Sequence, residues 1–222
     1  MSAKDRLTEA AFALFAERGY DQTTVDDITE RAGVGRTTFF RAFRTKEDVI
    51  FPDHEVLLRA IDERLRGSTG RTALIAVTEG ARLVLRHYLA EGERALTRYR
   101  LTRSVPALRD REVAGVQQYH RLFRGFLHQW MGGGADTALR AELMAGAVVT
   151  AHNHVLRRWL RGQSSAPEEE FDAAMAETVG LFTRADDGEA SIVVFRTKQD
   201  LDAVLPDLKR ILGAPADGAA PG

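Results

Sequence analysis

The sequence contains no cysteine among its 222 residues. This absence excludes disulfide bonds, thiolate zinc sites and cysteine nucleophiles. No apolar run approaches the ~20 residues of a membrane span, and the first residues lack the apolar core of a signal peptide. Lys and Arg total 31 and Asp and Glu total 32, so the formal net charge is −1. A protein that coats nucleic acid through bulk positive charge is therefore excluded, and a cytoplasmic protein is expected.

Signatures of catalysis and metal binding are also missing. The sequence has no Gly-x-Ser-x-Gly elbow, no glycine-rich phosphate loop and no His-Glu-x-x-His motif. His152 and His154 are two residues apart, so on a helix they point about 200° away from each other and do not share a metal. We therefore expect no enzymatic activity, no metal and no cofactor.

Hydrophobic periodicity predicts an all-α fold. The first apolar stripe has the helical spacing i, i+3, i+4, i+7, i+8 and comprises Leu7, Ala10, Ala11, Leu14 and Phe15. Three short helices fill the first 50 residues. Longer helices are predicted over about 46–66, 71–91, 93–103, 107–131, 136–161 and 168–185, separated by segments rich in Gly, Ser and Pro. Helices of this length and apolar content must pack as a bundle.

Residues 24–46 follow the helix-turn-helix pattern. Thr24 precedes a short helix as its N-cap, with Asp27 three residues later. Gly33-Val34-Gly35 is a tight turn, and a second short helix begins near Arg36. An apolar wedge between the two helices is expected from Ile28, Val34, Phe39 and Phe43.

The second short helix carries a basic face. Between Gly33 and Lys46 there are four basic residues and no acidic one. Helical spacing projects outward Arg36, Thr37, Phe40, Arg41 and Arg44. A local positive surface on a neutral protein favours a DNA groove, where Arg reads guanine edges and Lys contacts phosphates. A solvated charged face is the alternative interpretation of the same pattern.

Five segments of this region resemble the N-terminal domain of the TetR family of bacterial transcriptional regulators. They are Ala11–Tyr20, Thr23–Ile28, Ala32–Gly35, Thr38–Phe43 and Lys46–Asp48. The segments agree with the family in order and distance over about 50 residues, and beyond residue 50 the resemblance rests on length and helix count. The resemblance implies a homodimeric, ligand-responsive repressor whose two recognition helices enter successive major grooves of a near-palindromic operator.

The resemblance also implies roles for individual residues. The DNA-contacting set is Thr24, Arg36, Thr37, Thr38, Phe40, Arg41, Arg44 and Lys46. Thr24 would cap the second helix and touch phosphate, and Lys46 would bind phosphate at the start of the fourth helix. Arg36, Thr37 and Thr38 occupy the base-reading turn.

The sequence departs from the family pattern at two positions of the recognition helix. Phe40 stands where the family usually has Tyr, and Ala42 stands where His or another aromatic residue is common. Each departure removes a contact to the DNA backbone, for which Arg41 and Arg44 can compensate.

These patterns predict that the chain is divided into four parts. A helix-turn-helix DNA-binding domain is expected over 1–50 and a helical effector-binding and dimerisation domain over 51–189, followed by a short strand plus helix over 190–212 and a disordered tail over 213–222. Effector binding would shift the fourth helix through a mechanical link from Thr45 to Arg66, with Gly67–Gly70 as a candidate hinge.

The effector pocket is expected between residues 71 and 161. Its candidate lining residues are Tyr88, Arg103, Tyr119, Phe123, Trp130, His152 and Trp159, with Phe126 and Met144 on the same stripe. Aromatic residues at this spacing are also typical of a helical core. The effector itself is not identified by the sequence.

Arginine is concentrated in eighteen residues that contain Asp110 as the single acid. The cluster comprises Arg94, Arg98, Arg100, Arg103, Arg109 and Arg111. It is consistent either with a solvated face or with an anionic, acyl-like effector bound by one or two guanidinium groups.

Small residues at helical spacing predict a dimer interface on the last two long helices. They are Ala141, Ala145 and Val148 on one helix and Ala173, Ala176 and Gly180 on the next. Packing within one subunit predicts the same stripe. A transcriptional activator, a corepressor-dependent regulator and a non-enzymatic helical interaction module remain alternatives to the repressor.

Overall fold

The computed structural model describes residues 1–51, 54–69 and 72–183. Over these ranges the chain forms nine α-helices: α1 (Ala3–Arg18), α2 (Val25–Ala32), α3 (Arg36–Ala42), α4 (His54–Arg66), α5 (Ala73–Glu91), α6 (Glu93–Ser104), α7 (Pro106–Trp130), α8 (Ala138–Leu160) and α9 (Pro167–Thr183). Two short 3-10 turns lie at Glu47–Val49 and Ala135–Thr137. The described ranges contain no strand, and the predicted all-α fold is confirmed. The extension predicted at 190–212 and the tail predicted at 213–222 lie outside them.

The first three helices pack around a core of their own. Leu7 of α1, Ile28 of α2 and Phe39 of α3 are each fully buried in it. Ile50 closes this core after α3, and Leu108 of α7 is buried in the same cluster. The N-terminal domain therefore packs directly against the beginning of α7.

Capping boxes fix the starts of α1 and α2. Ser2 and Asp5 exchange hydrogen bonds between side chain and backbone at α1, and Thr24 and Asp27 do the same at α2. The prediction that Thr24 caps the second helix is confirmed. Gly33 ends α2 in the left-handed region with φ 63° and ψ 41°, a conformation that glycine adopts without steric cost.

The prediction of one continuous helix over 46–66 is wrong. The 3-10 turn Glu47–Val49 comes first, and α4 begins only at His54. Pro52 explains the break, because proline lacks a backbone N–H and disfavours helical backbone at the residue before it. The Asp48 carboxylate accepts hydrogen bonds from the backbone N–H groups of Arg44 and Thr45, both at 2.9 Å. These hydrogen bonds hold the backbone between the end of α3 and the 3-10 turn.

A second core unites α4, α5, α7, α8 and α9. Its fully buried side chains include Ile61, Leu85, Phe123, Leu127 and Phe171. The predicted starts of α5 to α9 and the predicted ends of α5 to α8 agree with the observed ones to within two residues, and the predicted end of the last helix at 185 lies outside the described residues. None of the helices in the described part of the chain is both long and apolar enough to cross a bilayer.

Candidate nucleic-acid interface and internal cavity

An apolar wedge orients α3 on the N-terminal domain. Ile28, Phe39 and Phe43 are buried, and the half-buried Val34 packs against them, as predicted. The Phe39 ring lies 5.6 Å from the Phe43 ring, centroid to centroid. With this face buried, α3 turns its polar face to solvent.

The outward face of α3 is basic and largely free of acids. Arg41 and Arg44 are exposed and form no ion pair with the described residues. Arg36 Nη1 contacts Asp26 Oδ1 at 2.5 Å, and both side chains are at least 60% exposed. An ion pair this exposed contributes only about 0–1 kcal/mol, so Arg36 can exchange Asp26 for another partner at little cost. The Arg36 guanidinium also lies 5.7 Å from the ring centroid of Phe40.

The threonines of the predicted interface differ in accessibility. Thr24 and Thr37 are exposed and Thr38 is half-buried. The Thr24 hydroxyl accepts a hydrogen bond from the Asp27 N–H at 3.2 Å, and its backbone N–H donates to Asp27 Oδ2 at 2.7 Å. Hydrogen bonds from Thr24 and Arg18 lower the pKa of Asp27 to about 2. The cap therefore keeps its carboxylate ionised.

Lys46 connects the two ends of the helix-turn-helix. Its ammonium donates to the carbonyl oxygens of Tyr20 at 2.9 Å and Thr23 at 2.8 Å, and it lies 3.9 Å from the centroid of the Tyr20 ring. The Tyr20 hydroxyl donates to Glu47 Oε1 at 2.5 Å, and burial together with this carboxylate raises the pKa of Tyr20. An ammonium has three donors, so one donor of Lys46 remains for a further acceptor.

The predicted arginine cluster is divided among several contacts. Arg98 is only 2% exposed and donates from both Nη atoms to the Glu91 carboxylate at 2.6 and 2.7 Å. Its Nε donates to the Ile50 carbonyl at 2.5 Å. Arg111 pairs with Asp48. Arg98 and Arg111 thus join α6 and α7 to the segment that follows α3, which the sequence analysis did not predict.

An internal cavity of about 210 Å³ lies among α4, α5, α6, α7 and α8. Four of the seven predicted pocket residues line it: Tyr88, Tyr119, Phe123 and His152. Arg103, Trp130 and Trp159 are not among its lining residues, and neither is any other member of the arginine cluster. The cavity is also lined by residues that the aromatic stripe did not predict: Phe51, His54, Glu112, Gln117 and Asn153.

Polar groups in the cavity are linked in pairs. His54 Nδ1 and the Tyr119 hydroxyl are 2.7 Å apart, and His152 Nδ1 is 3.2 Å from Asn153 Oδ1. Burial raises the pKa of Glu112, an effect that the nearby Arg157 opposes. Among the described residues no group of His, Cys, Asp and Glu is arranged to hold a metal ion.

The His54 side chain packs against α7 at Gly115, where the absence of a side chain leaves room for the imidazole. A Cβ atom at Gly115 would lie 2.9 Å from Nε2 of His54, so a larger residue would displace the imidazole. Because a continuous helix was predicted over 46–66, the contact between His54 and Gly115 was not expected. Pro52 and the glycine within α7 were the available signals.

The predicted dimer stripe is divided between core and surface. Ala141, Ala145 and Val148 of α8 are at most 2% exposed and belong to the second core, so their assignment to a dimer interface is wrong. Small side chains at these positions instead allow α8 to pack closely against its neighbours within the subunit.

The α9 residues of the predicted stripe reach the surface. Ala173 and Ala176 are exposed and Gly180 is half-buried. The apolar surface of the two helices is supplied mainly by Leu139 and Leu143 of α8 and Leu181 of α9, which are 68%, 57% and 68% exposed.

Comparison with known proteins identifies the N-terminal domain. Residues 7–51 match the family model described as bacterial regulatory proteins, tetR family. The mycofactocin biosynthesis transcriptional regulator MftR of Mycobacterium tuberculosis is 26% identical over 172 residues, which cover 76% of this chain and 85% of that protein. The sequence similarity therefore extends well beyond the helix-turn-helix.

Solved structures share the helical architecture. The complex of SmeT with triclosan aligns with a TM-score of 0.59 at 17% identity, over 90% of this chain and 98% of that one. NalD of Pseudomonas aeruginosa, the secondary repressor of the MexAB-OprM multidrug efflux pump, aligns with a TM-score of 0.57 at 19% identity, over 80% and 95%. At these identities the likeness concerns the fold. The match over residues 7–51 therefore shows an N-terminal domain of the tetR family of bacterial regulatory proteins, and the solved structures show that the chain shares their helical fold.

Proposed function

We propose that this chain is a ligand-responsive, homodimeric repressor that binds a near-palindromic operator through α3. The observation that carries the proposal is the basic surface formed by Arg41 on the outward face of α3 and Arg44 two residues after its end, both exposed without an ion pair to the described residues. The buried Phe39 fixes the opposite face. Relatives such as MftR and NalD are described as a transcriptional regulator and a repressor. The function is regulatory, not enzymatic, and we place it in the cytoplasm.

The proposed DNA contacts divide into base reading and positioning. Arg36, Thr37 and Thr38 begin the recognition helix and would meet base edges in the major groove. The hydrogen bonds and ion pairs to the DNA backbone would come from Thr24, Arg41, Arg44 and Lys46, while Phe40 would touch the DNA through its ring without the hydrogen bond of a tyrosine hydroxyl. Phosphate contacts fix register and orientation, while base contacts supply specificity.

The proposed dimer uses the outer face of α8 and α9. Leu139, Leu143 and Leu181 are exposed large apolar residues on two adjacent helices, and Ala173 and Ala176 leave room for a close approach. The same face on two copies forms a self-complementary interface with twofold symmetry. Twofold symmetry matches a palindromic operator, since each copy then reads one half-site.

The proposed effector site is the internal cavity, because it touches the elements that lead to α3. His54 is the first residue of α4 and is hydrogen-bonded to Tyr119 in the cavity. Arg98 lies 5.2 Å from the ring centroid of Tyr88, another lining residue, and holds the Ile50 carbonyl of the N-terminal domain. A molecule that displaces either tyrosine would shift these contacts and alter the separation of the recognition helices. Such a response requires different affinities for the two conformations.

Selection of genomic fragments by the purified full-length protein, read by sequencing, tests the proposed function. The expected result is one enriched near-palindrome whose half-sites are about one helical turn, 10–10.5 base pairs, apart. Fluorescence anisotropy with the enriched duplex then gives the affinity and the stoichiometry. Enrichment of no sequence, or binding of one subunit per duplex, contradicts the proposed function.

Arg36→Ala is expected to weaken operator binding by about 1–3 kcal/mol and to relax base preference at one position of each half-site. The reason is the loss of a guanidinium at the start of the base-reading turn. Anisotropy titrations against operators mutated at single positions measure both effects. Arg66→Ala is the matched control, since Arg66 is 79% exposed on α4 and pairs with Asp62 on the same helix. Wild-type affinity and wild-type base preference in Arg36→Ala would remove Arg36 from the interface.

Lys46→Met is expected to weaken binding to every DNA sequence and to reduce the salt dependence of binding by about one phosphate contact. The measurement is the slope of log K against log salt concentration, taken with the thermal midpoint of unfolding. Lys46 also donates hydrogen bonds to the carbonyl groups of Tyr20 and Thr23. The salt slope therefore reports its contact with DNA, and the thermal midpoint reports its contribution to the fold. A lower midpoint with an unchanged salt slope would show that Lys46 acts only within the fold.

A further inference from the structure

One polar atom at the internal cavity is buried without a hydrogen-bond partner. His152 is 7% exposed and lines the cavity. Its Nε2 has no hydrogen-bond partner within the described part of the chain. A buried polar atom without a partner is destabilising, so a ligand that satisfies it binds more tightly than one that does not.

The other ring nitrogen determines what kind of partner Nε2 needs. His152 Nδ1 faces Oδ1 of Asn153 at 3.2 Å, and an amide oxygen can only accept. Nδ1 therefore carries the proton and Nε2 carries a lone pair. Burial lowers the pKa of His152 to about 4, so the imidazole is neutral at pH 7. A partner for Nε2 must donate a hydrogen bond.

The walls of the cavity select against a charged ligand. Among its described lining residues the charged side chains are Glu112 and Arg157, whose opposite signs balance. The lining therefore carries no net charge that would favour a ligand of either sign. The guanidinium that lies nearest the lining tyrosine Tyr88 belongs to Arg98, which is already bound to Glu91 through both Nη atoms.

Aromatic side chains form much of the lining. Phe51, Tyr88, Tyr99, Tyr119 and Phe123 contribute rings from four different segments of the chain. Aromatic side chains pack favourably on other rings through stacked or edge-to-face contacts. The volume of about 210 Å³ suits a small molecule.

We propose that the cavity binds an uncharged, ring-containing small molecule whose hydroxyl group donates a hydrogen bond to Nε2 of His152. This assignment rests on the proposed function in taking the cavity as the effector site. It replaces the anionic, acyl-like effector that the arginine cluster suggested, because none of those arginines lines the cavity.

The test compares three probes on the full-length protein by isothermal titration calorimetry. The probes are para-propylphenol, its methyl ether and octanoate, which differ in the donor hydroxyl and in charge. The phenol is expected to bind about tenfold more tightly than the ether, as one net hydrogen bond allows. In His152→Phe this preference disappears, while the control His154→Phe, altered at an exposed position of the same helix, retains it.

Asn153→Ala gives a second readout that does not require replacing the buried imidazole. Without the Asn153 oxygen the proton is no longer fixed on Nδ1, so the preference for the phenol over the ether falls. Imidazole nitrogen-15 chemical shifts report the protonated nitrogen directly. Equal binding of phenol and ether by the wild type, tightest binding of octanoate, or binding of none of the three overturns the proposal.

Operator release separates this inference from the proposed function. Anisotropy of the protein bound to its selected duplex is measured while the phenol is added. Binding of the phenol through His152 without any release of DNA supports the ligand assignment and contradicts the ligand response. Release of DNA by octanoate instead supports the ligand response and overturns the ligand assignment.

Discussion

Replacing Arg98 by Met is expected to lower the free energy of unfolding by about 3–5 kcal/mol, the cost of removing one partner from a buried ion pair. The Arg98 side chain is 3% exposed and that of Glu91 is 16% exposed. Methionine approximates the length of the arginine stem but leaves the Glu91 carboxylate and the Ile50 carbonyl without their donor. Urea unfolding followed by circular dichroism measures the change.

Two variants separate the causes of this loss. Arg100→Met is the matched control on the same helix, because Arg100 and Glu93 are 3.9 Å apart and 68% and 84% exposed. An exposed pair of this kind contributes about 0–1 kcal/mol. Arg98→Lys keeps the charge but lacks the planar fork that binds Glu91 with two donors, so it is expected to lie between Arg98→Met and wild type. Equal stability of Arg98→Met and Arg100→Met would contradict the assignment.

Arg98→Met is also expected to weaken the response of DNA binding to any cavity ligand. The Arg98 guanidinium contacts both Tyr88, which lines the cavity, and the carbonyl of Ile50 in the N-terminal core. In the variant, the ligand affinity of the folded protein stays near wild type while the ligand changes operator affinity less. Anisotropy titrations with and without para-propylphenol measure the difference.

Phe39→Ala is expected to cost about 3–5 kcal/mol and to abolish operator binding. Phe39 is fully buried where α3 packs on α1 and α2, and its ring contacts Phe43. The cavity left by the missing ring removes the apolar contact that orients the recognition helix. Since the N-terminal core is distinct from the core around α8, the C-terminal helices should remain folded. Near-complete loss of DNA binding with most of the helical circular dichroism retained is the expected pattern.

The neighbouring phenylalanine provides the control for this substitution. Phe40 is 48% exposed, so Phe40→Ala is expected to change stability by no more than about 0.5 kcal/mol. Its effect on operator affinity then reports a direct contact with DNA instead of a change in folding. A loss of stability in Phe40→Ala equal to that in Phe39→Ala would contradict the orientation of α3.

Much of the N-terminal domain was predictable because its determinants are local. The capping pair Thr24 and Asp27 is separated by three residues, and Gly33 supplies the left-handed turn directly after α2. The apolar spacing that buries Phe39 and Phe43 follows from the helical repeat alone. Interactions within about one helical turn can be read from a sequence without knowledge of the partner surface. The same reasoning predicted the starts of α5 to α9 and the ends of α5 to α8.

The break before α4 was missed although its cause is in the sequence. Pro52 disfavours helical backbone at the preceding residue, but the apolar periodicity on both sides suggested one continuous helix. Because this break was missed, His54 was not predicted to line the cavity. His54 lies in the first turn of α4, the helix that begins after the break.

The sequence by itself determined that the described part of this chain is helical and that residues 24–46 form two short helices joined by a tight turn, with basic residues on the second helix. Only the tertiary structure decided that Ala141 and Ala145 pack inside the subunit, that Tyr88 and His152 meet in a cavity, and that Arg98 is buried. Periodicity identifies an apolar helix face but does not specify its neighbour, since core, cavity and interface use the same residue types. The partners of Arg98 show the same limit, because Ile50 is 48 residues away along the chain and only the fold brings the two groups together.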